Sequence, residues 1–254
     1  MLAKLSEIPV DCGMKYLPVL CFFLLHPISE AASLIATSPN ATNMSSVNLT
    51  AEGTSNWAIW NSRTNPDTTP APDFFMAGET TGSISEISRT SGSGVRGTDS
   101  LTSYPTGVFT WTNSNDNTVP DQISGMFTTT DQTTIGVQFS ITDLPALSGG
   151  LVYQINVYGS AFRGRAEVTA SVSSLTAVVD GITKAEAKAV EQYQFFYNPD
   201  SAIDVLTLRS LLEVDNGSNA HALLYGVSIA VVPEPSSLLL SAFGLLSILG
   251  LRRR

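Results

Sequence analysis

The sequence predicts a mainly β protein, an antiparallel two-sheet sandwich of jelly-roll type, flanked by a signal peptide and one C-terminal transmembrane helix. Three observations carry this. Apolar and polar residues alternate in at least six short segments, the period of half-buried strands. Clusters of Asn, Gly, Pro and Asp separate those segments. Long uncharged apolar runs lie at the two ends of the chain, at residues 16–25 and 236–251.

The N-terminal element is a leader over residues 1–31. Lys15 precedes the apolar run, and Pro27 and Ser29-Glu30-Ala31-Ala32 follow it. This is the charged, apolar and small-residue order of a signal peptide. The run is too short to span a bilayer permanently. Small residues at Ser29 and Ala31 place cleavage between Ala31 and Ala32, with cleavage after Ser33 as the alternative. The first thirteen residues carry Glu7 and Asp11, which suit such a peptide poorly, so translation is expected to start at Met14. Both cysteines, Cys12 and Cys21, fall in the leader. The mature chain is therefore expected to hold no disulfide, no thiolate zinc site and no cysteine nucleophile. Val19-Leu20 lacks the small residue a lipobox needs before Cys21, so lipid attachment is not expected.

Residues 32–45 read as a flexible linker. They are rich in Ser, Thr and Asn and include sequons at Asn40 and Asn43. The passenger domain follows over residues 46–231. Phe109 and Trp111 suggest one strand. Ile135, Val137, Phe139 and Ile141 share one face of the next, and Leu151, Tyr153, Ile155 and Val157 repeat the pattern. Val168, Ala170 and Val172 form another, Tyr193, Phe195 and Tyr197 another, and Leu223, Tyr225, Val227, Ile229 and Val231 the last. Residues 184–192 are the one short helix candidate. Many short strands with one polar face pack as two antiparallel sheets, and uneven strand spacing favours the jelly roll.

The tail reads Val232-Pro233-Glu234-Pro235, then residues 236–251 without a charge, then Arg252-Arg253-Arg254. As a helix the apolar part spans about 24 Å. Snorkelling arginines make up the shortfall against the hydrocarbon core. Three terminal arginines anchor the cytoplasmic end and leave the passenger outside. This tripartite tail resembles the PEP-CTERM sorting signal of Gram-negative bacteria. The resemblance implies recognition by exosortase, with Pro233, Glu234 and Pro235 as the sorting motif and Arg252, Arg253 and Arg254 as the membrane anchor. It also implies a transient stay in the inner membrane, then the cell surface or extracellular matrix, and association with exopolysaccharide.

Within the passenger, Thr50-Ala51-Glu52-Gly53 precedes Asn56-Trp57-Ala58-Ile59-Trp60. Tyr158-Gly159, Arg163-Gly164-Arg165 and the strand from Glu167 follow later. The set resembles a recurring bacterial extracellular β-sandwich domain, in which Asp is commoner at the position of Asn56. That resemblance implies a fold and no activity.

Chemistry is sparse. Residues 32–232 hold 18 acidic residues against 8 Lys and Arg, a net charge near −10. That sign repels phosphate backbones, so no nucleic acid is expected as partner. His221 is the one histidine beyond the leader, and no Gly-x-Ser-x-Gly accompanies it. It reads as a solvent-edge strand residue, and the inventory is too poor for zinc. Gly92-Ser93-Gly94-Val95-Arg96-Gly97 matches a dinucleotide-binding spacing without its strand–helix context and reads as a surface loop. Asn113, Asn115, Asp116, Asn117 and Asp121 gather hard oxygen donors that suit a structural calcium, without the EF-hand pattern. Trp57, Trp60 and Trp111 are candidate ligand-facing aromatics, for sugars in particular. A hydrolase would need two facing carboxylates, and Glu52, Glu79, Glu86 and Glu167 are available but unpaired by spacing. The expected function is that of a non-enzymatic surface or matrix protein, sorted by exosortase. The alternatives are a carbohydrate-binding module and, less favoured, a secreted hydrolase.

Overall fold

The computed structural model describes residues 32–38, 40–44, 46–49, 54–60, 74–75, 82–89, 96–97, 110–112, 126–127, 136–183, 190–200, 204–217 and 220–234. The chain divides into two units between Ala31 and Ala32, and all described residues belong to the second. The leader, the calcium-loop candidate at 113–121 and residues 235–254, including the expected transmembrane helix 236–251, lie outside the described residues.

Four strands open the described chain: β1 (Ser33–Ala36), β2 (Thr42–Met44), β3 (Ser46–Asn48) and β4 (Thr54–Ile59). Six strands of two or three residues follow: β5 (Phe74–Phe75), β6 (Ser83–Ile84), β7 (Ser88–Arg89), β8 (Arg96–Gly97), β9 (Thr110–Thr112) and β10 (Met126–Phe127). The longer ones are β11 (Gly136–Thr142), β12 (Leu151–Phe162), β13 (Gly164–Val172), β14 (Leu175–Asp180), β15 (Val190–Asn198), β16 (Leu206–Asp215) and β17 (His221–Pro233). No helix occurs among the described residues.

Nine strands form the larger sheet, in the order β1-β15-β12-β17-β10-β8, with β2 on β15, β4 on β17 and β5 on β4. Six form the second, in the order β14-β13-β16-β11-β6, with β7 on β11. Both sheets are antiparallel throughout. β3 and β9 add a small parallel pair. From β11 to β17 every connection crosses between the large sheets except the β13–β14 hairpin, which is jelly-roll-like winding.

Alternation builds the core. On β13, Ala166, Val168, Ala170 and Val172 are buried while Arg165, Glu167, Thr169 and Ser171 are partly exposed. On β11, Val137, Phe139 and Ile141 point inward in the same way. These meet Tyr153, Ile155, Val157, Tyr193, Phe195, Val227 and Ile229 of the larger sheet in one apolar cluster. A second cluster, with Val47, Leu49, Trp57, Ile59, Tyr158, Val190, Leu223 and Tyr225, draws on the opposite-facing side chains of that same sheet. The single residue Arg163, whose φ is 51°, joins β12 to β13. Gly164 is obligatory beside it, since a Cβ there would sit 2.2 Å from the Val214 carbonyl oxygen.

Three expectations need correction. The linker over residues 32–45 contains two strands: β1 and β2 both pair with β15, and Leu34 is 7% exposed. Ser and Asn between the apolar residues hid this, because a short edge strand needs few apolar anchors. The helix candidate at 184–192 overlaps β15, whose Val190, Glu191 and Gln192 pair with Met44, Asn43 and Thr42. Residues 184–189 lie outside the described residues. Arg96-Gly97, expected in a loop, forms β8 against β10.

Candidate sorting site and its surroundings

β17 carries the site. Residues 221–230 are buried without interruption, because the strand lies between apolar side chains on both faces. β12 runs along its full length, from Leu151↔Pro233 to Phe162↔His221. On the other edge β4 pairs with residues 226–230, and Ala230↔Thr54 is its last rung among the described residues. Beyond that point Val231 is 37% exposed, and Pro233 is exposed.

The first two residues of the Pro-Glu-Pro box are therefore part of the fold. Pro233 is the last residue of β17, and the Glu234 N–H donates to the Gly150 carbonyl at 2.7 Å. That bond makes 150/234 a hydrogen-bonded rung. Antiparallel rungs alternate, so Leu151/Pro233 is non-hydrogen-bonded and Val152/Val232 is hydrogen-bonded. A proline at a non-hydrogen-bonded rung removes no bond to its neighbour. Pro233 thus ends the strand without weakening the β12 ladder. Gly149 and Gly150 lead into β12 with φ of 75° and 70°, a backbone most side chains avoid. Pro235 and the anchor Arg252, Arg253 and Arg254 lie outside the described residues.

Both ends of the described domain leave from one end of the sandwich. Ser33 pairs with Asn198, Tyr197 with Tyr153, and Tyr153 with Val231. Ser33 and Val232 thus lie on one row, three strand spacings or roughly 14 Å apart. Ala31 lies outside the described residues, and Ala32 immediately precedes β1. Cleavage after Ser33 would remove a residue paired with Asn198.

Trp57 and Trp60 do not form a platform. Trp57 is 1% exposed and Trp60 0%. Three positions apart on an extended chain, they face opposite sides: Trp57 joins the second cluster and Trp60 the core, where its ring lies 5.1 Å from Phe139. Their large apolar surfaces are better buried than offered to a ligand. Trp111 belongs to β9, and its side chain lies outside the described residues. Asn56 accepts from the Trp57 N–H through Oδ1 at 2.7 Å and donates from Nδ2 to the Gly82 carbonyl at 2.6 Å. An aspartate could accept the first bond but lacks the Nδ2 donor of the other.

His221 is 4% exposed, not at a solvent edge, because it stacks on Phe162 with ring centroids 5.2 Å apart. The Arg163 guanidinium covers the same phenyl ring at 5.0 Å. Glu86 is exposed on its own segment, while Glu52 and Glu79 lie outside the described residues. Glu167 does find carboxylate neighbours that spacing did not reveal. Its carboxylate, with those of Asp180 and Glu213, forms a group whose oxygens lie within 4.8 Å of one another. β13 brings these together by pairing with both β14 and β16. Arg165 bridges to Glu213 there. The Glu213 hydrogen bond raises the guanidinium pKa, and the charges of Glu213, Asp180 and Glu167 add to it against desolvation. The arrangement is a cation set among acids on a sheet face, not two carboxylates across a cleft. A buried acid, Glu191, accepts from the Tyr193 hydroxyl and from the Ile182 N–H at 2.8 Å, which pins the chain leaving β14.

The geometry defines an antiparallel β-sandwich whose closing strand runs into its C-terminal signal. Residues 231–254 match the PEP-CTERM protein-sorting motif. The chain thus carries the signal of exported proteins that exosortase sorts to the cell surface. No curated protein matches the chain. Among solved structures, the chain is similar to the carbohydrate-binding module TmCBM61 in complex with β-1,4-galactotriose. The TM-score is 0.31 at 12% identity, over 46% of this chain and 74% of that one. It is also similar to the enzymatically active domain of bacteriophage CBA120 tailspike protein 4. There the TM-score is 0.31 at 11% identity, over 59% of this chain and 19% of that one. Among the described residues, no helix is long and apolar enough to cross a membrane.

Proposed function

We propose that this chain is a non-enzymatic surface or matrix protein, cut at its Pro-Glu-Pro box by exosortase and then associated with exopolysaccharide. The observation that carries the reading is the sorting motif set directly on the closing strand of a β-sandwich. A plain membrane anchor gives no reason for two prolines flanking a glutamate just before the apolar run. A carbohydrate-binding activity of its own would have to use groups other than Trp57 and Trp60, which are buried.

Replacing Pro233, Glu234 and Pro235 together by Ala tests the reading. Insertion depends on the apolar run and the arginines, so the variant still reaches the inner membrane. It is expected to stay there uncleaved, while the wild type is released without peptides from residues 236–251. Equal release of the two would reduce the tail to a plain anchor. Co-sedimentation of released protein with the cell's own polysaccharide tests the second half, and its absence would remove the matrix role.

A further inference from the structure

A membrane enzyme that cuts within an extended segment must lay its own groups along that segment's backbone. Here that backbone is already engaged. Val232, Pro233 and Glu234 stand opposite Val152, Leu151 and Gly150, and the Glu234 N–H is bonded to the Gly150 carbonyl. The apolar run begins at Ser236, two residues beyond Glu234, so no spacer separates the sheet from the membrane segment. We infer that the folded sheet masks the sorting box, and that processing waits for the end of β17 to peel away from β12. The inference rests on the reading of the box as a processed signal and adds a structural control to it.

The physical grounds favour a clip over a rigid lock. The terminal rungs are held by β12, and among the described residues β4 reaches no further than Ala230. Val231 and Pro233 are exposed and Val232 is half-buried, so far less apolar surface opposes their release than holds residues 221–230. Strand ends of this kind open locally without global unfolding. Residues 221–230, buried on both faces, stay in place while the last three move. Cutting is then limited by the fraction of time the end is open.

Two variants shift that fraction in opposite directions. Inserting Gly-Ser-Gly-Ser between Val232 and Pro233 keeps the box intact and moves it past the last rung. Replacing Val152→Cys with Val232→Cys locks the strand one residue before the box. A hydrogen-bonded antiparallel pair has Cα atoms about 5.5 Å apart, within disulfide range. No other cysteine lies beyond the leader. In pulse-chase experiments in an exosortase-bearing host, the insertion is expected to speed cutting about two- to ten-fold, the worth of one or so hydrogen bonds. The disulfide is expected to slow it, and reduction of the same double variant is expected to restore faster cutting. Equal rates for the wild type, the insertion and the oxidised and reduced double variant would overturn the clip. A second readout does not depend on cutting: hydrogen exchange at the Glu234 amide of the full uncut chain in lipid nanodiscs. Protection in the wild type that the insertion abolishes supports the clip. An unprotected amide overturns it whatever the cutting rates. Protection with no cutting of any variant keeps the clip and refutes the processing reading.

Discussion

The first ten residues of β17 and its last three share one sequence pattern and have opposite fates. Leu223, Tyr225, Val227, Ile229 and Val231 alternate as evenly at the end as at the start. Residues 221–230 are nevertheless buried on both faces, whereas Val231 and Pro233 are exposed. The difference lies in the neighbours. The buried stretch has β12 on one edge and β4 and β10 on the other, with apolar clusters on both faces. The emergent end keeps only β12 among its described partners. One strand can thus be an immovable centre and a releasable end within a few residues.

The largest expected effect comes from breaking the buried stretch. Ile229 is 0% exposed in the core, so Ile229→Ala should cost about 2–5 kcal/mol in denaturant unfolding. A cost below that range would mean that the stretch yields as easily as the end.

Alkaline titration separates the two stretches by their neighbours on β12 and β15. Tyr193, on the rung of Val157, is held well above the ordinary tyrosine value of 10.0, first by burial and then by the charge and hydrogen bond of Glu191. Tyr153, opposite Val231, is raised less strongly, by burial. A pKa raised in the folded state means that stability is intact below the unfolded value and is lost as pH rises past it. Stability should therefore be flat up to about pH 10 and fall above it. Absorbance titration should find Tyr193 ionising only with unfolding. Ionisation of Tyr193 before the fold is lost would show that the interior admits solvent.

Smaller effects sharpen the contrast. The Tyr158 hydroxyl lies 3.1 Å from the Ser228 Oγ beneath the second cluster, so Tyr158→Phe should cost about 1 kcal/mol. Val231→Ser, at the emergent end, should change stability by less than about 0.5 kcal/mol. Equal costs for the two would erase the distinction between stretch and end.

Much of the architecture was legible from the residues alone. Period-2 alternation located β11, β12, β13, β15 and β17. It passed over β16, where Ser210 takes an inward position and Leu211 an outward one, so polarity and burial disagree. It also passed over β1 and β2, which are too short to show a period. The signal over residues 231–254 was readable because its order, composition and place in the chain are local properties.

What the sequence determined by itself was therefore local: which segments have two faces, where the chain turns, where the charges are few, and which tail directs sorting. The tertiary structure decided everything that depends on distant neighbours. It buried Trp57 and Trp60 on opposite faces of one sheet, gathered Glu167, Asp180 and Glu213 around Arg165, and seated Pro233 and Glu234 beside Leu151 and Gly150. The reason is that alternation gives a strand two faces and two edges but does not say what covers them. Only the strands that arrive from elsewhere in the chain settle which edge is held and which end is left free to open.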